Sequence, residues 1–206
     1  MEKDVAHIQA WLGTGSINIF GRPFAGKDTQ GKLLAELFDG ALLGGGEILR
    51  GSTMPDHVKA AMKTGKLIAT EDYISIVLPY LKQAELADKP LILSSVGRWH
   101  GEEEGVLGAT SESNHPLKAV IYLALSEPEV RERWEQTHTT SDRGVRHDDT
   151  AEVLEVRLEE YRDKTLPVIE FYREKGLLIE IDAAQTPERV MESIVTELGK
   201  RATRAS

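Results

Sequence analysis

At 206 residues the chain has the length of one domain, or of one domain carrying inserted lids, and it can bury a core without covalent staples. It contains no cysteine, which excludes disulfides, thiolate zinc sites and cysteine nucleophiles together. A net charge of -9 argues against a long-range field for nucleic acid, and no run approaches the roughly 18 apolar residues of a membrane span; a cytoplasmic monomer without nucleic-acid or membrane partners is expected.

In chain order, Val5, Ile8, Trp11 and Leu12 can share one face of an N-terminal helix within residues 1–15, whose simplest role is to cover an edge or crevice. Strands are predicted at Ser16 to Phe20, weakly at Ala41 to Leu43, and at Pro90 to Ser94, Ala119 to Leu125 and Leu177 to Ile181. Helices are predicted at Gly26 to Phe38, Pro55 to Thr64, Glu71 to Ala87, Glu127 to Thr137, Thr150 to Glu174 with a break near Pro167, and Pro187 to Lys200. The basic end GKRATRAS reads as frayed. Short apolar strands alternating with longer helical patterns predict an α/β fold with a parallel sheet covered on both faces. No linker or repeat of fixed period divides the chain.

The sharpest feature is SINIFGRPFAGKDTQ, an apolar strand running through Gly21, Pro23, Ala25, Gly26, Lys27, Asp28, Thr29 and Gln30 into a helix. Such a turn lets backbone amides wrap around phosphates, adds the positive end of a helix, and aims a lysine at the outer phosphates. Phe24 stands where a small residue fits most easily, and Asp28 replaces the hydroxyl residue that usually follows the lysine to meet magnesium. The six histidines show no metal-ligand spacing and are expected in loops and on polar faces, and no triad of hydrolytic type is evident.

This phosphate loop resembles that of the adenylate kinases, and further stretches extend the likeness from about Ser16 to Val195. EILRG places Arg50 where that family holds the acceptor phosphate; TGKLI, with Lys66, Leu67 and Ile68, resembles its turn beside the acceptor nucleoside. GRW puts Arg98 at its arginine after the third strand, Arg133 falls at the arginine bordering the ATP base, and RHDDTAEVLEVRLEEY supplies Arg146, Asp148, Asp149 and Arg157. The resemblance implies a P-loop three-layer fold with a five-stranded parallel sheet, an acceptor-binding insert over 45–75 and a short lid over 138–149. It implies transfer of the terminal phosphate of ATP, with Mg2+, to a nucleoside monophosphate, AMP first among them. Lys27, Arg98, Arg133, Arg146 and Arg157 would be catalytic. Gly45, Gly46, Arg50, Lys66, Leu67, Ile68, Arg98, Glu102, Arg146 and Arg157 would face the acceptor.

Departures keep alternatives open. The family's Ser-Thr-Gly-Asp run is Gly44 to Glu47 here, its aspartate ending the third strand is Ser94, and its base-reading glutamine falls at Glu102. A nucleotide sensor without transfer activity, or a kinase for another nucleotide, fits those departures. Asp28 either supplies the displaced carboxylate toward magnesium or only favours the helix N-terminus. Arg131 and Arg162 read as solvated ion-pair partners rather than site residues.

Overall fold

The computed structural model describes residues 2–45, 48, 52–63, 70–139 and 150–205. Its strands are β1 (Ser16–Gly21), β2 (Ala41–Gly44), β3 (Leu91–Ser94), β4 (Leu117–Ala124) and β5 (Leu178–Asp182). They form one parallel sheet in the order β2-β3-β1-β4-β5. The chain leaves β1 toward one edge, returns to β3 beside it, then crosses to β4 on its other side. That reversal opens a crevice at the carboxyl ends of the central strands, where open α/β sheets bind ligands.

Period-two alternation explains why both sheet faces are covered. Ile17 and Ile19 of β1 and Ala119, Ile121 and Leu123 of β4 enter one core, while Phe20, Val120 and Tyr122 enter another. The first core is closed by α1 (Glu2–Leu12), α2 (Lys27–Phe38) and α9 (Pro187–Ala205), through Ile8, Leu12, Leu34, Phe38, Ile194 and Leu198. The N-terminal helix is therefore a packing element, with Ile8 and Leu12 fully buried. On the opposite face α8 (Leu166–Glu174) packs Val168, Ile169 and Tyr172 on the sheet. A third cluster joins β2 and β3 to α3 (Asp56–Lys63), α4 (Thr70–Leu81) and α5 (Glu103–Glu112).

Several boundaries differ from expectation. The expected helix to Ala87 stops at Leu81, and a short 3-10 turn follows at Ala84–Leu86. Helix α5 had no sequence expectation: its start is a run of acids, and its apolar contribution to the core comes from Val106 and Ala109, with Leu107 packed against the cluster on the other side. The C-terminal end is helical through Ala205 rather than frayed, because Ala202 continues the buried stripe of Val190, Ile194 and Leu198. After α6 (Glu127–Thr139), α7 (Ala151–Glu160) leads into a π turn, Tyr161–Thr165, before α8. The break thus precedes Pro167, which sits in the first turn of α8 where its missing N–H costs nothing.

His115 is a second correction, being fully buried rather than on a polar face. Its Nδ1 lies 2.7 Å from the Thr14 carbonyl, which accepts its proton. No helix among the described residues is long and apolar enough to cross a membrane.

Candidate active site

β1 ends at Gly21 and the chain turns through Gly26, whose φ of 91° is the left-handed conformation glycine adopts without strain, into α2. Phe24 takes a left-handed φ of 62° despite its side chain, a cost of about 1–2 kcal/mol. Arg133 holds this loop in place: its guanidinium donates to the Phe24 carbonyl at 3.1 Å and to the Ala183 carbonyl at 2.5 Å. Within the loop Lys27 Nζ donates to the carbonyls of Gly21 and Arg22, at 2.8 and 2.9 Å. Burial lowers the Lys27 amine to about 8, Asp28 pulls it back up, and the Arg98 charge adds to the depression. A dianionic phosphate in the loop would offer what those carbonyls offer now, plus full opposite charge.

Two hollows flank the loop. One, of about 420 Å³, is lined by Gly21, Pro23, Lys27, Ser95, Arg98, Trp99, Arg157, Glu160, Tyr161 and Thr165. It brings together the expected loop residues with Arg98 and Arg157, from three separate parts of the chain. The other, of about 590 Å³, is lined by Phe24, Ala25, Gly26, Thr29, Gln30, Arg133 and, from beyond β5, Ala183, Gln185 and Pro187. Both volumes suit small ligands. Gln30 is buried, donates to the Pro187 carbonyl at 2.9 Å, and keeps a buried Oε1 without a partner among the described residues. Arg133 belongs to this second hollow and does not line the chamber of Lys27, Arg98 and Arg157.

Asp28 sits in the first turn of α2 with its carboxylate 3.4 Å from the Ser94 hydroxyl, across the crevice at the end of β3. Gly45 passes so close to the Ser95 carbonyl that a Cβ there would meet it at 2.8 Å. Glu102 is buried, its Oε2 accepts the Trp99 backbone N–H at 3.3 Å, and burial pushes its carboxyl up to about 7. It is not among the residues lining the chamber. Gly46, Arg50, Lys66, Leu67, Ile68, Arg146, Asp148 and Asp149 lie outside the described residues. Arg131 and Arg162 pair with acids as expected, Arg131 with Glu155 through two bonds of 2.9 Å and Arg162 with Glu127 at 2.7 Å.

Sequence reasoning missed the residues that hold this geometry. Asn18 is buried in β1, and its amide donates to the Val96 carbonyl at 2.7 Å and accepts the Val96 N–H at 3.3 Å. It thereby anchors the turn that carries Arg98; a lone amide inside an apolar strand was the available signal. Gly97 makes the turn possible, since its φ is 67° and a Cβ would strike Val106 at 2.2 Å. Tyr161, in the π turn, carries the Arg22 guanidinium 5.2 Å from its ring centroid and so ties the phosphate loop to α7. Helical periodicity gives no sign of a π turn, which often marks functional sites.

The sequence profile of the family described as adenylate kinase matches residues 19–177. The chain belongs to the adenylate kinase family. It is 32% identical over 179 residues to an adenylate kinase of Synechococcus sp. (strain CC9902), covering 84% of this chain and 93% of that protein. Against an adenylate kinase of Caulobacter sp. (strain K31) it is 32% identical over 181 residues, covering 85% and 94%. An adenylate kinase of Vanderwaltozyma polyspora is 28% identical over 211 residues, covering 88% and 95%. Family membership makes this a nucleoside monophosphate kinase that moves a phosphoryl group from ATP, and the fold is the family's parallel-sheet P-loop fold.

Proposed function

We propose that the acceptor is AMP and that the two hollows divide the work, the larger one taking the ATP nucleoside and the smaller one the transferring phosphates. The observation carrying this reading is the convergence of Lys27, Arg98 and Arg157 on one chamber at the mouth of the phosphate loop. Loop amides and Lys27 hold the ATP phosphates. Gln30 Oε1 and Arg133 serve the nucleoside side. Arg98, with Arg50, grips the acceptor phosphate, while Arg157 and Arg146 meet charge on the migrating group; guanidinium forks suit both tasks. Glu102 reads the acceptor base, and its raised pKa supports this, since a protonated carboxyl offers one donor and one acceptor.

An oxygen of the acceptor phosphate attacks the terminal phosphorus of ATP, and the bond to the bridging oxygen breaks, leaving two nucleoside diphosphates when the acceptor is AMP. The nucleophile needs no general base, because a phosphate monoester has lost most of its second proton at neutral pH. Positioning and charge stabilisation therefore carry the catalysis. Magnesium, when bound with ATP, neutralises charge on the outer phosphates. Asp28, beside the Ser94 hydroxyl, would hold it; magnesium sites commonly use one or two carboxylates plus phosphates and water. Segments 45–75 and 138–149 act as acceptor insert and lid of one monomeric, cytoplasmic domain.

Separate substitutions test the division. Arg98→Ala raises the KM for AMP about tenfold or more with the KM for ATP little changed, and Arg133→Ala does the reverse. Equal effects on both substrates from either variant contradict the assignment.

A further inference from the structure

Among the described residues, Glu160 is the one carboxylate lining the transfer chamber. Left uncompensated, it would repel the phosphates the chamber is built to receive. Lys164, one helical step on in the π turn, places its ammonium 3.3 Å from Glu160 Oε1. The same ammonium stands 4.4 Å from the centroid of the Trp99 indole, within reach of a cation-π contact. Its backbone carbonyl also accepts the His100 N–H at 2.9 Å. Lys164 therefore touches the Arg98 turn twice, through side chain and backbone.

Trp99 is adjacent to Arg98 and is locked within its turn, donating its N–H to Glu102 Oε2 at 3.3 Å and accepting the Glu102 N–H at 3.0 Å. Asn18 fixes the root of the turn at Val96. Its far end is held by Lys164, which follows Arg157 on the continuous run from α7 into the π turn. The turn carrying Arg98 and the helix carrying Arg157, from distant parts of the chain, are thus held together through Trp99, Lys164 and Glu160.

We propose that Lys164 is a positioning residue for phosphoryl transfer: its ammonium, seated between Glu160 and the Trp99 indole, cancels the carboxylate facing the acceptor phosphate and fixes the Arg98 turn against the Arg157 helix. This rests on the reading of Arg98 as a grip on the acceptor. Among half-exposed ion pairs most contribute little to stability, so the effect belongs in acceptor binding rather than in folding.

The test is steady-state kinetics of the full chain with Lys164→Met, Lys164→Arg and Arg98→Ala, each substrate varied in turn, with melting temperatures alongside. Lys164→Met raises the KM for AMP about tenfold, a loss of ~1.4 kcal/mol, with the KM for ATP within about twofold and melting unchanged. Lys164→Arg restores the wild-type value to within about threefold, because guanidinium keeps both the charge and the cation-π contact. An unchanged KM for AMP in Lys164→Met overturns the proposal, as does an equal loss for both substrates with lowered melting, or failure of arginine to rescue. If Arg98→Ala raises the KM for AMP and Lys164→Met does not, only the role of Lys164 fails. If Arg98→Ala itself has no effect, the reading of Arg98 has failed first.

Discussion

Asp28 and Ser94 face each other at 3.4 Å across the crevice, so the carboxylate that the sequence lacks at the end of β3 is present on the opposite wall, in the first turn of α2. Asp28→Asn keeps the size and the favourable helix position while removing the charge. We expect it to raise the magnesium concentration needed for half-maximal rate about tenfold at fixed ATP; an unchanged magnesium titration assigns Asp28 to the helix end alone. Glu102 provides a pH test. Burial raises its carboxyl from the ordinary 4.5 to about 7. A group raised in the folded state contributes stability that is complete below its unfolded value and lost as pH rises through its folded one, here between about 4.5 and 7. Glu102→Gln keeps an acceptor for the Trp99 N–H and carries no charge. It should melt about 2–4 °C above the wild type at pH 8, what roughly 1 kcal/mol is worth in a chain of this size, and lose that advantage by pH 5. Parallel melting curves contradict the raised pKa. Lys27 and Asp28 were legible from the phosphate-loop motif, and Arg98 and Arg157 from the resemblance to the family. Asn18, Glu160 and Lys164 were not, because their roles depend on partners brought together only by the fold.

Elements were legible where burial and periodicity agree. Each of the five expected strands is present; β1, β3 and β4 are apolar runs buried on both faces, which have few alternative structures. Legibility failed where polar surface dominates: α5, which begins with acids, was missed, and the expected C-terminal helix was ended at Lys200 because its last residues carry Arg201 and Arg204 while still burying Ala202. The N-terminal helix was read as a cover, and α1 does cover the crevice between α2 and α9. Ile8 is fully buried there and lines neither hollow. Ile8→Ala should therefore cost about 2–4 kcal/mol of unfolding free energy in denaturant titration, with kcat and both KM values unchanged at a temperature where the variant is folded. Lost activity in the folded variant would assign α1 a part in the site.

At the scale of the molecule, the strand order decides where chemistry can occur. The reversal around β1 gathers the phosphate loop, the turn after β3 and the run from α7 into the π turn at one end of the sheet. Net charge is -9, yet among the described residues three cations meet in that chamber, so the attraction for phosphate is local rather than a property of the whole surface. The departures at Phe24, Asp28, Ser94 and Glu102 leave Lys27, Arg98 and Arg157 together in one chamber. The most direct test is ADP formation with ATP, magnesium and each of AMP, GMP, CMP, UMP and dTMP, run beside Lys27→Ala. Turnover with AMP that falls about 100-fold or more in Lys27→Ala is the predicted result. Tight ATP binding with no turnover on any acceptor would contradict it.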